Sequence, residues 1–223
     1  MSDYDPDMSG DLKFPPSERG LCVTEWSRIL ESGEQLMWTG RPDYGRRFFQ
    51  IVGHERYWHL GHALAIVALW SVLPFLKDEK AQDAVWFFGM VTMILLLLSV
   101  AIARFRADIL GSLFYAVTDR RAVVLRKGRN VFLRMRSYVA SCPHRETYPY
   151  AIIKGRPYDT VRVGSMLSVD VVQPFGLGLF HDGWDPLRLR GIVPISFENI
   201  QDAPRVHDAI LTLAKAASMR RRA

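Results

Sequence analysis

Charge is missing from two long stretches of this chain. Residues 58–76 (WHLGHALAIVALWSVLPFL) contain no Asp, Glu, Lys or Arg, and residues 84–103 (AVWFFGMVTMILLLLSVAIA) contain no ionisable group at all. At about 1.5 Å per helical residue, each stretch would cross the roughly 30 Å hydrocarbon core of a bilayer. Buried core helices are the soluble alternative, but they usually carry a polar face, which the second stretch lacks. Neither stretch is a signal peptide, because both lie far from the N-terminus. We therefore predict a transmembrane helical hairpin over residues 58–103.

Positive charge outside the two stretches predicts how the hairpin is oriented. Arginines precede the first stretch and follow the second, at Arg41, Arg46, Arg47, Arg56, Arg104 and Arg106. The connecting segment 77–83 balances two lysines against three acidic residues. The positive-inside rule therefore places both termini in the cytoplasm and the connecting segment outside.

The net charge of +6 is distributed unevenly along the chain. Residues 1–103 have a net charge of −4, and residues 104–223 have a net charge of +10. A basic residue held near an anionic membrane surface contributes about 1 kcal/mol to membrane binding. Anionic phospholipid is therefore a predicted contact of the C-terminal half.

Cysteine and catalytic motifs are also scarce. Cys22 and Cys142, the two cysteines, fall on the side predicted to be cytoplasmic, where thiols stay reduced, so no disulfide is expected. No G-x-S-x-G nucleophile turn is present, and residues 176–183 (GLGLFHDG) lack the spacing of a phosphate-binding loop. Cys142 and His144 are a weak candidate pair, because catalytic pairs usually meet through the fold. We predict that the protein is not an enzyme and binds no cofactor or metal.

Three histidines near the start of the first stretch, His54, His59 and His62, leave an alternative open. A zinc protease needs H-E-x-x-H, with two histidines four residues apart on one helical face. His54 and His59 are five residues apart, so they would point about 140° away from each other on a helix. Histidines at a membrane interface are the simpler interpretation. The alternative is a membrane enzyme, or a metal- or haem-binding protein, that uses this cluster.

After Arg106 the hydrophobic periodicity changes from that of a helix to that of strands. Strand-like segments separated by Gly, Pro and Asp occur at residues 113–117, 122–125, 131–139, 148–153, 160–163, 165–172, 177–180 and 192–197. Such a run of short strands predicts a small antiparallel sandwich or barrel. A helix is predicted to follow, because Asp202 and Pro204 suit its first turn. One apolar stripe of that helix consists of Val206, Ile210, Leu213 and Ala217.

The chain is accordingly predicted to have four parts. They are a mobile acidic tail (1–22), a cytoplasmic lead-in (23–57), the hairpin (58–103, with spans 58–76 and 84–103) and a cytoplasmic domain (107–218). Within the lead-in, Phe48, Ile51 and Val52 fall at helical spacing, with arginines elsewhere on the wheel. This pattern predicts an amphipathic helix that lies in the membrane interface.

Four segments of the chain carry a resemblance to a known family: LESGEQLMWTGRPD (30–43), YAVTDRRAVV (115–124), GLGLF (176–180) and FENI (197–200). They resemble the bacterial PH-domain family of small membrane-anchored proteins, and strands closed by one helix follow the element order of a PH-like domain. The resemblance covers most of residues 30–215. It implies an α+β membrane protein in which a two-helix transmembrane hairpin precedes a PH-like antiparallel β-sandwich or barrel with a C-terminal amphipathic helix. The chain departs from the pattern around residues 142–159, where an inter-strand segment is longer and richer in proline.

The family has no established catalytic residues, and related architectures occur in factors that assemble membrane complexes. The resemblance therefore implies a non-catalytic scaffold, docking or assembly protein of the bacterial inner membrane. Other integral membrane proteins or a larger membrane complex are the expected partners, with anionic phospholipid as a further contact. The surface predicted to contact them consists of Arg104, Arg106, Arg120, Arg121, Arg126, Arg134, Arg136, Arg220, Arg221 and Arg222.

Nucleic acid is a weaker candidate partner. Arg134 and Arg136 on one predicted strand, together with Phe132 and Tyr138, would suit a stacking platform for a single strand. Tethering to a membrane and the lack of a recognised binding motif argue against this interpretation. We expect no nucleic-acid partner.

Overall fold

The computed structural model describes residues 26–53, 55–76, 78–127, 137–167 and 192–222. It divides into two compact units, of which the first combines residues 1–44 with 109–223 and the second comprises residues 45–108. In chain order, the elements are β1 (Leu36–Gly40), α1 (Glu55–Ser71), a 3-10 turn (Leu73–Phe75), α2 (Asp78–Ser112), β2 (Leu113–Thr118), β3 (Arg121–Arg126), β4 (Tyr138–Pro143), β5 (Ala151–Ile153), β6 (Asp159–Leu167), β7 (Ile192–Ile200) and α3 (Ala203–Arg222). The predicted α+β class is confirmed.

The helices α1 and α2 are the two long apolar helices predicted from the sequence. Both are long and apolar enough to cross a membrane, and only 0% and 6% of their most apolar stretches are buried. A helix that is apolar all round and belongs to a soluble core would be mostly buried. The exposure of α1 and α2 is instead compatible with insertion into a membrane.

The bounds of α2 differ from the prediction at both ends. The helix begins at Asp78 instead of Ala84 and continues to Ser112, so most of the predicted external loop 77–83 is helical. That segment contains no Gly or Pro, and its acidic residues favour a helix N-terminus. The helix also continues past Arg106, where the periodicity was predicted to change, because Ile109 and Leu110 are still helical and are buried. The first strand after α2 begins at Leu113, as predicted.

In the described part of the first unit there are two antiparallel sheets, one with the strand order β1-β2-β3-β4 and the other with the order β5-β6-β7. β4 contacts β6, and α3 contacts β5 and β6. β1 precedes α1 in the chain but pairs with β2, which follows α2, and places Trp38 opposite Val117. The sheet therefore includes part of the predicted lead-in, so the β unit does not begin at residue 107.

Side chains cover both faces of the first sheet. On one face, Tyr115 stacks on Phe197 with 4.8 Å between ring centroids, and Trp38 stacks on the same ring at 5.7 Å. On the other face, Trp26 packs in a cluster that includes Ala116, Val123 and Leu125. Trp26 belongs to the lead-in, which precedes α1, whereas Ala116, Val123 and Leu125 belong to strands that follow α2. Residues from both sides of the two long helices therefore form this core.

The predicted C-terminal helix is confirmed as α3. Its buried positions are Ala203, Val206, Ala209, Ile210 and Ala214. Leu213 and Ala217 of the predicted stripe are half-buried. The helix thus covers the second sheet with a face that is mostly alanine and β-branched residues.

Gly40 lies where Trp38 folds back over the backbone, and a Cβ at position 40 would overlap the Trp38 ring. We expect Gly40→Ala to displace Trp38 from Phe197 and to lower the free energy of unfolding by about 1–3 kcal/mol. Thermal unfolding of the full chain in detergent measures this change. Gly111→Ala in α2 is the control, because nothing lies within 4 Å of a Cβ there and alanine favours a helix. Equal stability of the two variants would contradict the packing role of Gly40.

Candidate membrane anchor and basic surface

Glu55 and Arg106 form a buried ion pair between α1 and α2 in the second unit. Arg106 Nε lies 2.7 Å from Glu55 Oε2, and both side chains are 0% exposed. A buried charge is costly unless it is paired and fully hydrogen-bonded. The pair therefore joins the first residue of α1 to a residue near the end of α2.

The guanidinium of Arg106 also binds carbonyl groups of the loop that precedes α1. Nη1 donates to the carbonyls of Gly45 and Arg47 at 2.9 Å each, and it donates to the Gln50 carbonyl as well. Nη2 donates to the Phe48 carbonyl at 2.6 Å. One side chain thus serves as the hydrogen-bond donor for four peptide groups of a single loop.

This arrangement replaces the amphipathic helix predicted around Phe48, Ile51 and Val52. Residues 45–53, all of which the structure describes, form bends and turns instead. Gly45 and Gly53 have φ values of 91° and 55°, which glycine adopts without steric cost. Of these four carbonyls, that of Arg47 also accepts a hydrogen bond from the Gln50 amide at 3.0 Å, which closes one turn that does not continue as a helix.

Two further polar contacts join α1 and α2. His62 Nδ1 lies 2.7 Å from Ser99 Oγ, and Trp70 Nε1 donates to Thr92 Oγ1 at 2.9 Å. Thr92, Ser99 and Arg106 recur every seven residues, so they lie on one face of α2. The sequence prediction missed these contacts, and this seven-residue recurrence is the signal that could have found them.

The predicted histidine cluster is divided between these contacts. His59 Nε2 lies 3.1 Å from Glu55 Oε1, whereas His62 contacts Ser99. His54 lies outside the described residues. In the part of the chain that the structure describes, no group of three or more His, Cys, Asp or Glu is arranged to hold a metal ion. The two histidines of this cluster that the structure describes therefore serve as hydrogen-bond partners within the pair of helices α1 and α2.

A second buried carboxylate, Glu34, joins the lead-in to the turn between β2 and β3 in the first unit. Its side chain is 0% exposed and accepts two hydrogen bonds from Arg121, each at 2.9 Å. Thr118 Oγ1 donates to the same carboxylate at 2.7 Å. Burial by itself would raise the pKa of Glu34, but hydrogen bonds from Arg121, Thr118 and the Glu31 amide outweigh it and lower the pKa to about 2. Glu34 is therefore ionised at neutral pH.

The segments that carry the family resemblance contact one another inside the first unit. The Gln35 amide donates to Asp119 Oδ1 at 2.9 Å, and the Asp119 amide donates to the Gln35 carbonyl at 3.0 Å. The Asp43 amide donates to the Asn199 carbonyl at 2.8 Å, and Asp43 Oδ2 accepts a hydrogen bond from the Gln201 amide at 2.9 Å. These polar motif residues are thus engaged with the fold itself.

The arginines of the predicted partner surface occupy different environments. Arg104, Arg120 and Arg220 are exposed, and ion pairs connect Arg104 with Asp108 at 3.4 Å and Arg120 with Glu31 at 3.7 Å. Arg134 and Arg136 lie outside the described residues, as do the side chains of Arg221 and Arg222. Exposed cationic groups that fit the prediction are therefore present at three described positions.

Three other arginines do not fit an exposed surface. Arg106 and Arg126 are 0% and 4% exposed, which corrects their assignment to a surface that contacts lipid or protein. Burial lowers the pKa of Arg126, because strand β3 is covered on both faces. Arg121 is 18% exposed, and its Nε and Nη2 atoms donate to the two carboxylate oxygens of Glu34.

The neighbouring Cys142 and His144 are both buried. Burial raises the pKa of the Cys142 thiol to about 11, the opposite of what a thiolate nucleophile needs. His144 Nε2 donates to the Thr118 carbonyl at 2.9 Å, and burial lowers the pKa of this imidazole. Cys142 lies close to Gly164 of β6, so both side chains belong to the interior of the first unit.

No protein-family model, curated protein or solved structure matches this chain. The resemblance to bacterial PH-domain proteins thus stays a prediction that rests on the sequence segments.

Proposed function

We propose that this protein is a non-catalytic scaffold, docking or assembly factor that α1 and α2 anchor in the bacterial inner membrane. The observation that carries the proposal is the exposure of apolar side chains along both helices, such as Val67 at 66%, Trp86 at 77% and Leu97 at 61%. Leaving such a side chain in water instead of burying it costs about 1.5–3 kcal/mol. A bilayer removes this cost for every lipid-facing position at once. The arginines at the ends of the apolar stretches support an orientation with both termini in the cytoplasm.

The element order of the first unit supports its proposed PH-like fold. Among the described residues of this unit, two antiparallel sheets, of four and three strands, precede helix α3. On this proposal the first unit docks an integral membrane protein or a larger membrane complex, and anionic headgroups add a weaker contact. Arg120 and Arg220 are exposed and fit such a contact. The carboxylates beside Arg120 reduce its share of the attraction.

The alternative of a metal- or haem-binding membrane protein has less support. His59 and His62 each have a nearby hydrogen-bond partner, and these partners are different residues. An open ligand set would instead bring imidazole nitrogens together around one point. Nothing among the described contacts favours this function over docking.

Membrane purification tests the proposed function. We expect the full chain to stay in the membrane pellet after an alkaline carbonate wash, because two spans resist extraction. We also expect it to co-elute with one or more integral membrane proteins, which mass spectrometry identifies, after extraction with a mild detergent. Protease added outside intact spheroplasts should leave the first unit uncut.

Three results would contradict the proposal in different ways. Release of the chain by the carbonate wash would show that α1 and α2 do not anchor it in the membrane. Digestion of the first unit by protease added outside would show that the orientation is the reverse of the one proposed. Stoichiometric metal or a haem absorbance band, found without any partner protein, would favour the histidine alternative.

A further inference from the structure

Loop 45–53 of the second unit exposes aromatic and aliphatic side chains. Phe49 is 89% exposed, and Phe48 and Ile51 are 36% and 43% exposed. The Phe48 and Phe49 rings contact each other edge to face, with 5.0 Å between their centroids. Neighbouring apolar side chains this exposed are costly to leave in water.

The loop cannot withdraw these rings by rearranging freely. Four of its carbonyls are bound by the Arg106 guanidinium, which is itself buried and paired with Glu55. Any rearrangement that released those carbonyls would leave donors of a buried cation unsatisfied. The exposed rings are therefore part of a fixed surface.

The composition around the loop matches the interface of a bilayer. Arg47 in the loop is exposed, and Arg56 and Tyr57 follow it at the start of α1, with the Arg56 guanidinium 4.8 Å from the centre of the Tyr57 ring. Aromatic rings and arginines with charged tips are favoured at the headgroup level. The loop ends at Gly53, two residues before the membrane helix begins at Glu55.

We propose that loop 45–53 inserts Phe48, Phe49 and Ile51 into the anionic lipid interface of the same bilayer that α1 crosses, and that Arg106 positions it there. The inference rests on the proposed membrane location of α1 and α2. A protein partner fits less well, because three side chains are a small patch and stable protein interfaces bury on the order of 1,000 Å² or more.

Depth measurement with a fluorescent label tests the loop in the full chain. Cys22→Ser removes one thiol. Cys142 stays in place, because it is 3% exposed and burial raises the pKa of its thiol to about 11, so it reacts slowly. Nitrobenzoxadiazole is attached at Phe49→Cys in one variant and at Leu97→Cys in another. Both are reconstituted in phosphatidylcholine–phosphatidylglycerol vesicles that contain lipids brominated at known depths.

We expect the label at position 49 to lie about 5–10 Å below the headgroup boundary and to be shielded from aqueous iodide. The label at position 97 should lie deeper. Arg106→Lys should shift the position-49 label toward water while the position-97 label keeps its depth, because a lysine cannot hold four carbonyls and a carboxylate together. If that variant fails to insert, the depth of the label in the chain with native Arg106 still decides the question.

The two labels separate the possible failures. A position-97 label that lipid bromines do not quench would overturn the proposed membrane anchor and this inference with it. A deep position-97 label combined with iodide quenching at position 49 would overturn this inference alone. Shielding of position 49 from both iodide and bromolipid would indicate a protein contact, which also overturns it.

Discussion

Replacement of Arg106 by methionine is expected to destabilise the protein more than any other single change proposed for it. The substitution leaves the Glu55 carboxylate, which is 0% exposed, without its cation. It also removes the donor from four loop carbonyls. Breaking a buried pair by removing one partner costs about 3–5 kcal/mol. Thermal unfolding in detergent, followed by circular dichroism and by the fraction of monodisperse protein, measures the loss.

Arg104→Met is the matched control, because it lies two residues away on the same helix and also removes one arginine. Arg104 is 72% exposed and pairs with Asp108 at 3.4 Å. An exposed pair of this kind contributes about 0–1 kcal/mol. If Arg106→Met and Arg104→Met unfolded at the same temperature, the inference that Arg106 stabilises the protein by binding Glu55 and loop 45–53 would be wrong.

A double variant separates the ion pair from the loop contacts. Glu55→Met combined with Arg106→Met removes both buried charges, and replacing a buried pair by apolar residues is often close to neutral. The four carbonyls would still lack their donor, however. We therefore expect the double variant to regain part of the lost stability and to keep a mobile loop 45–53, which hydrogen exchange would detect.

The different outcomes for Arg106 and for the two helices show what the sequence encodes directly. A long stretch without charge determines a membrane-compatible helix by itself, whatever it packs against, so α1 and α2 were predictable. The positive-inside rule counts an arginine near a span without regard to its burial. It therefore assigned Arg106 to a surface, although its buried partner is Glu55, the first residue of α1.

The prediction that Arg126 of β3 is exposed was wrong for a related reason. Alternation of polar and apolar residues predicts exposed arginines only when one face of a sheet is open to water. In β3, positions 122–126 are all buried, because the lead-in residue Trp26 packs on Val123 and Leu125 while Tyr115 and Phe197 fill the opposite face. Nothing local to β3 reveals that Trp26, almost 100 positions earlier in the chain, covers it.

Glu34→Gln is expected to produce the second large loss of stability, and this loss should depend on pH. The pKa of Glu34 falls from 4.5 to about 2 in the folded protein. The contacts of the folded state therefore favour the ionised form of Glu34 over the protonated form more strongly than water does in the unfolded state. The corresponding stabilisation is about 3 kcal/mol at neutral pH.

The sign of the pH dependence follows from the lowered pKa. Above pH 4.5 Glu34 is ionised in both states, and its full contribution is present. As the pH falls from 4.5 toward 2, the unfolded chain takes up a proton first, so the contribution is lost across that window. Glu34→Gln has no such proton to bind. The difference in unfolding free energy between wild type and Glu34→Gln should therefore be largest at pH 7 and should shrink as the pH approaches 2.

Pulse proteolysis of the full chain across a urea series measures this difference, with thermolysin at neutral pH and pepsin in acid. Glu31→Gln is the control, because Glu31 is 59% exposed and forms longer ion pairs, at 3.7 Å to Arg120 and 3.3 Å to Arg121. We expect it to lower stability by no more than about 1 kcal/mol. A Glu34→Gln deficit that stayed constant from pH 7 to pH 2 would show that shape, not charge, holds the lead-in against the β2–β3 turn. Because Trp26 and Glu34 belong to the same lead-in and Trp26 packs on the sheet at Ala116, Val123 and Leu125, a true charge effect predicts that acid also exposes this apolar face of the sheet.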